Sequence, residues 1–234
     1  MLRSNAPGLY GWDILLRGTC WPGPIIGAGL SDVLRDAARA GHEIGVHAWD
    51  HHEWQARIEK ADEAALVEWT QRACELLEKA TGTKPVAVAA PGWRATPEVL
   101  LSREKFPFRF NSDCRGETIF CPIVGEAVLS QPQIPNTLPT YDEVIRQNGI
   151  SDANYNEFML SQLRPNELNV LTIHAEVEGI ARAELFEKFL DEAAARDYSF
   201  VPMGALLHAT DDLPQAEITP QFIKGREGWV AVQK

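Results

Sequence analysis

The sequence predicts an α/β fold with parallel strands, and three observations point to it. Short apolar runs alternate with segments of helical periodicity, and the run over 85–90 is apolar throughout, as strands buried on both faces are. Polar and chemistry-bearing residues fall at or just after the C-terminal ends of the expected strands, the edge that carries function in α/β barrels. With 234 residues the chain can bury one sizeable core, so a single domain over 1–234 is expected.

Taken in order, residues 1–28 carry Leu9, Trp12, Ile14, Leu15 and Leu16 between Arg3 and Arg17, then Trp21, Ile25 and Ile26 around three Pro and Gly residues. Two readings stay open: a helix packed on the core with Pro7 in its first turn, or a membrane-interfacial segment resting on lipid head groups. Ser31 is the expected N-cap of a helix carrying Val33, Leu34, Ala37 and Ala38, stopped by Gly41. A short buried strand over 43–46 follows and runs into His47. A long amphipathic helix is expected over 62–80, with Leu66, Trp69, Ala73, Leu76 and Leu77 on one side and Gly82 at its end.

Beyond the 85–90 strand come a helix over 97–104, a strand over 108–111 and a looser, proline-containing region over 119–140. Helices over 141–147 and 153–163, a strand over 169–173, a helix over 181–196 and a strand over 199–201 complete the alternation. The five parallel strands end at His47, Ala90, Asn111, His174 and Pro202. Five strands do not close a barrel comfortably, and an open parallel sheet leaves edges that proteins normally cover.

His47 and His51 stand at i and i+4 after a strand. If the turn winds into a helix after His47, their imidazoles emerge on one face, close enough to bind one ion. His52 faces another way. A lone histidine is more often a surface or core residue than a ligand, and it is the pair at this spacing that favours a metal clip.

Composition limits the alternatives. A net charge of −11 leaves no basic stripe for nucleic acid. The four cysteines form no CxxC pair and are too few for a disulfide scaffold in a chain this long, so a reducing compartment fits best. No stretch approaches the apolar length of a transmembrane helix, and no secretory leader is evident, which predicts a soluble or peripheral protein.

Taken together, HAWDH over 47–51 and the run VLTIH over 170–174 resemble the metal and general-acid motifs of the polysaccharide deacetylase family. HAWDHHEW over 47–54, PGWR over 91–94, NSDCRG over 111–116, TIHAEVEG over 172–179 and LYGWDILL over 9–16 extend the likeness over most of the chain, fading after about residue 207. The resemblance implies a distorted seven-stranded (β/α) barrel, here incomplete at the N-terminus, with about five of seven strands. It implies a metal-dependent amide hydrolase, in particular a deformylase of undecaprenyl-phosphate-linked 4-deoxy-4-formamido-L-arabinose in lipid A modification. Such an enzyme would work peripherally at the cytoplasmic face of the inner membrane, contribute to polymyxin resistance and have no nucleic-acid partner.

By the same resemblance His47 and His51 hold one divalent ion, Asp113 orients His174, and His174 protonates the leaving amine. Arg94 falls in the motif whose arginine steadies the catalytic base, although the family's usual place for it is Ala89 in this chain. Trp49 and Trp93 would bind substrate. Two imidazoles and a carboxylate suit zinc, with manganese or cobalt as alternatives. Read on their own, His174 is equally a core histidine bonded to backbone, and Asp113 a turn or helix cap. The family's first strand, with an Asp base and an Asp ligand, has no counterpart here; Asp211-Asp212 reads as a solvated turn beside Pro214. The expectation is therefore an internal start within a longer protein, or a truncated copy. A deacetylase of another N-acyl sugar and an inactive homologue are the alternatives.

Overall fold

The computed structural model describes residues 25–207, 212–223, 226 and 228–234. The proposed membrane-interfacial segment therefore falls outside the described residues except for 25–28, where Ile25 and Ile26 are exposed. The described chain forms two compact units, a larger one of 25–135, 201–223 and 228–234 and a smaller one of 136–200 with residue 226.

In the larger unit a single helical turn, Ile26–Gly29, leads into α1, Ser31–Arg39. Ser31 is the first helical residue and makes no capping bond, so Leu30 takes the cap position that Ser31 was expected to hold. Helix α2, His51–Arg57, is capped by Asp50, whose side chain accepts the Glu53 N–H. The long helix α3 spans Glu63–Thr81. Asp62 caps it by accepting the Ala65 N–H, and Gly82 ends it at φ +81°, a left-handed conformation that favours glycine. Its inward stripe is Leu66, Thr70, Ala73 and Ala80, close to the spacing read from the sequence.

The expected parallel strands shrink to short pairs. β1, Ala87–Val88, and β2, Phe110–Asn111, run parallel in the register Ala87 to Phe110 and Val88 to Asn111. Val46 pairs beside Val88, with its N–H on the Ala87 carbonyl and its own carbonyl taking the Ala89 N–H, both at 2.9 Å. Asn111 in turn pairs with Gln133. Helix α4, Pro97–Arg103, lies between β1 and β2 in sequence, so that parallel crossover is helical. Val46, Ala73, Val88, Phe106 and Phe108 form one buried cluster beside this sheet, and Trp54, Leu66, Val99, Leu100 and Phe120 belong to a second.

A second sheet in this unit was not foreseen. β3, Cys121–Val124, and β4, Ala127–Val128, form a hairpin; β5, Gln215–Phe222, pairs parallel to β3; β6, Trp229–Gln233, pairs antiparallel to β5. Ala216 and Ile218 alternate inward on β5, the period-two pattern of a half-buried strand, and Val230 and Ala231 are buried on β6.

In the smaller unit α5, Tyr141–Val144, opens with a capping box between Thr140 and Glu143. α6, Tyr155–Gln162, and α7, Ala183–Ala194, follow. Leu138, Tyr141, Tyr155, Met159, Leu160, Val177, Phe189 and Ala193 make its core.

Two expected strands are not formed. Over 169–173 the chain satisfies its peptide groups otherwise: the Thr137 and Leu138 N–H groups both go to the Val170 carbonyl, and the Val170 N–H goes to the Thr137 hydroxyl. A side-chain acceptor replaces the next ladder bond, so no register propagates. Ile173 is 43% exposed, unlike a strand buried on both faces. Over 199–201 Phe200 and Val201 are exposed, and a short helical turn, Met203–Leu206, takes the place after them.

Candidate functional site

His47 follows the bridged Val46 and is fixed through its own ring, with Nδ1 3.0 Å from the Ala89 carbonyl. Because a carbonyl only accepts, Nδ1 carries the proton and the lone pair falls on Nε2, as in metal-binding imidazoles whose other nitrogen bonds the backbone.

The two histidines meet by a route other than the expected one. α2 begins only at His51; Asp50 is extended, and Ala48 has φ +94°. The i, i+4 pair therefore shares no helix face, because three non-helical residues separate a strand-end imidazole from a first-turn one. Their ring centroids nevertheless lie 5.4 Å apart, with the planes tilted 51°. His52 is exposed on the same helix. The Arg72 guanidinium covers the half-buried Trp49 ring, 4.1 Å from its centroid.

Residues 91–94 form a tight turn in which Gly92 and Trp93 have φ of +59° and +53°. Trp93 is buried, with Arg115 4.9 Å above its ring. The Arg94 carbonyl accepts the Trp54 indole N–H, and its Nη1 donates to the Gln55 carbonyl, each at 3.0 Å. Arg94 thus ties this turn to α2, the helix that carries His51.

Asp113 follows β2 and is fully buried. Its Oδ2 accepts from Gln133 Nε2 at 3.2 Å, and its backbone N–H donates to Gln133 Oε1 at 2.9 Å. The Arg103 guanidinium pairs with it, and Arg103 is itself held by donation to the Thr70 hydroxyl at 3.0 Å and by the Trp54 ring. Burial pushes the Asp113 carboxyl up against the opposing pull of Arg103, the Gln133 amide, the Ala90 N–H and His47.

Arg103 and Gln133 were missed by sequence reasoning. The signal for Arg103 was present, since it stands four residues after Val99 and three after Leu100, on the buried face of α4. Nothing local marks Gln133, which reaches Asp113 from twenty residues away.

His174 belongs to the smaller unit and is half-buried. Its backbone N–H donates to Glu178 Oε2 at 2.8 Å, and its carbonyl accepts the N–H groups of Val177 and Glu178. A π-helical turn, Val177–Ala181, follows it. Burial raises the Glu178 carboxyl, while the His174 N–H and imidazole oppose that rise. Asp211 lies outside the described residues, and Asp212 is exposed.

Among the described residues no three His, Cys, Asp or Glu side chains gather as a metal ligand set. The donor chemistry of His47 and His51 nevertheless fits two positions around a divalent ion: adjacent imidazoles, one with its tautomer set by a backbone carbonyl.

Residues 19–110 match the family model described as polysaccharide deacetylase. A Shewanella sediminis protein assigned as the 4-deoxy-4-formamido-L-arabinose-phosphoundecaprenol deformylase ArnD is 50% identical over 234 residues, which is 100% of this chain and 75% of that one. A crystal structure from Mycobacterium smegmatis, assigned as a polysaccharide deacetylase, shares a TM-score of 0.65 at 22% identity, covering 85% of this chain and 74% of the other. A family 4 acetyl xylan esterase from Clostridium thermocellum, solved with a cobalt ion, shares a TM-score of 0.52 at 14% identity over 76% of this chain and 70% of its own.

Proposed function

The chain belongs to the polysaccharide deacetylase family and has its fold, and on that footing we propose that it hydrolyses the formamide of undecaprenyl-phosphate-linked 4-deoxy-4-formamido-L-arabinose, releasing formate and the amine. The observation that carries the reading is the 50% identity, spread over the whole chain, to a protein assigned that activity. On this reading the enzyme would serve lipid A modification, working at the cytoplasmic face of the inner membrane. Among the described residues no helix is long and apolar enough to cross a membrane; peripheral contact through 1–28 is proposed from the apolar and aromatic residues of that sequence.

His47 and His51 would hold one divalent ion, zinc before manganese or cobalt, through imidazole nitrogens. An ion held there would supply Lewis-acid polarisation of the formyl group and would acidify a water. The Ala89 carbonyl keeps the His47 lone pair on Nε2, and Asp50 fixes the start of the helix that presents His51. Asp113 brings a fully buried carboxyl to the end of β2, held by Gln133 and Arg103. His174 would donate the proton that the amine needs in order to leave. Trp49 would meet the sugar with the part of its ring that Arg72 leaves open, Trp93, buried under Arg115, would back the site from behind, and Arg94 secures the turn that carries Trp93.

Formate release from the lipid-linked 4-formamido sugar, measured beside acetate release from an N-acetylated soluble sugar, tests the reading. Formate from the first substrate and little acetate from the second supports it; the reverse preference assigns the chain to a deacetylase of another N-acyl sugar.

A further inference from the structure

The sequence motifs assign no task to Glu178, yet its surroundings are those of a group retained for a reason. It lies in the π-helical turn after His174, and such turns concentrate at functional positions. Its Oε2 receives the His174 N–H at 2.8 Å while its own N–H returns to the His174 carbonyl at 2.9 Å, so the two residues close a ring of hydrogen bonds around the corner that carries the imidazole. The side chain is only 4% exposed, and its second oxygen, Oε1, is buried without a protein partner. A carboxyl oxygen at that depth without a partner costs stability, so packing alone does not account for it.

We propose that Glu178 is a positioning residue for His174, fixing the backbone from which the imidazole projects and setting a carboxylate beside it. The charged and titratable groups facing Glu178 are His174, Asp142 on α5 and Tyr155 on α6. Among the described residues that face it, His174 is the one that can bring positive charge, so the carboxylate is set to serve the imidazolium that exists just before the proton moves to the leaving amine. An ionised Glu178 stabilises that form, and the fixed corner keeps its N–H aimed.

The inference rests on the reading of His174 as the proton donor, and two measurements on the full chain separate the two. The first compares a formamide sugar, whose amine must be protonated to leave, with p-nitrophenyl formate, whose phenolate leaves without a proton. Glu178→Gln is expected to lower kcat on the formamide roughly tenfold at unchanged KM, a part of the hundredfold or more that a general acid supplies, and to spare the ester. Equal losses on both substrates overturn the proposal. The second is hydrogen exchange at the His174 amide, which needs no activity. Exchange is expected to quicken in Glu178→Ala, where the acceptor is gone, and to stay slow in Glu178→Gln, where the amide oxygen still accepts; unchanged exchange in Glu178→Ala overturns the proposal. Should the unsubstituted protein cleave neither probe, the functional reading fails, while the exchange comparison still decides the placement of Glu178.

Discussion

Nη2 of Arg103 lies 3.7 Å from Oδ1 of Asp113, with the two side chains 1% and 0% exposed. Neither of those two atoms has a hydrogen-bond partner, so the pair is held by charge rather than by a formed bond. A buried pair of this kind contributes little net stability over apolar residues, but removing one member strands the other.

Arg103→Met is therefore expected to destabilise the protein by about 3 kcal/mol, the lower end for breaking a buried pair. Adding Asp113→Asn to it should cost less than the two single changes combined, because no stranded charge remains. Urea unfolding of the four proteins measures the coupling, and strict additivity would rule out a working pair.

Asp50 ties His51, one of the two proposed metal ligands, to helix geometry. Its Oδ1 accepts the Glu53 N–H at 2.7 Å, and its loss should cost about 1 kcal/mol, the usual value of an N-cap. Because His51 is the first residue of that helix, Asp50→Ala should also weaken zinc binding, whereas Asp50→Asn, which can still cap, should not. A competition titration with a chelator reads this, and equal zinc affinity in all three proteins would detach the cap from the site.

Glu178 gives the protein a pH dependence of definite sign. Burial holds its folded-state pKa above the ordinary glutamate value of 4.5, so the folded form keeps the proton longer than the unfolded one. Its contribution to stability is thus fully present below pH 4.5 and is lost as pH rises through the folded value. Glu178→Gln, which cannot ionise, should gain on the unsubstituted protein over that window in urea midpoint. A difference that stays flat from pH 4 to pH 8 would contradict a buried, proton-retaining carboxyl.

Much of this was legible in the chain, in proportion to how local its cause is. Asp62 and Gly82 bracket α3 through bonds to residues three or four places away, so its limits could be read almost to the residue. The His47–His51 spacing pointed to two rings that do come close, by a geometry other than the expected one: Ala48 at positive φ and an extended Asp50 replace the helical turn, and the rings meet across a strand-to-helix corner instead. The apolar run over 169–173 failed as a strand because the Thr137 hydroxyl, more than thirty residues earlier, takes a bond that a neighbouring strand would need. Gln133 beside Asp113, and β5 beside β3, are products of long-range pairing that no local pattern encodes.

On the proposed reading, amide hydrolysis depends on an ion held by His47 and His51. Formate release by metal-stripped protein titrated with zinc, compared with the His47→Ala and His51→Ala variants, tests it most directly. The unsubstituted protein is expected to lose activity on stripping and to regain it as zinc approaches one ion per chain. Both variants should remain at least a hundredfold lower at the same zinc. Activity that survives stripping, or variants that follow the same zinc dependence as the unsubstituted protein, would contradict it.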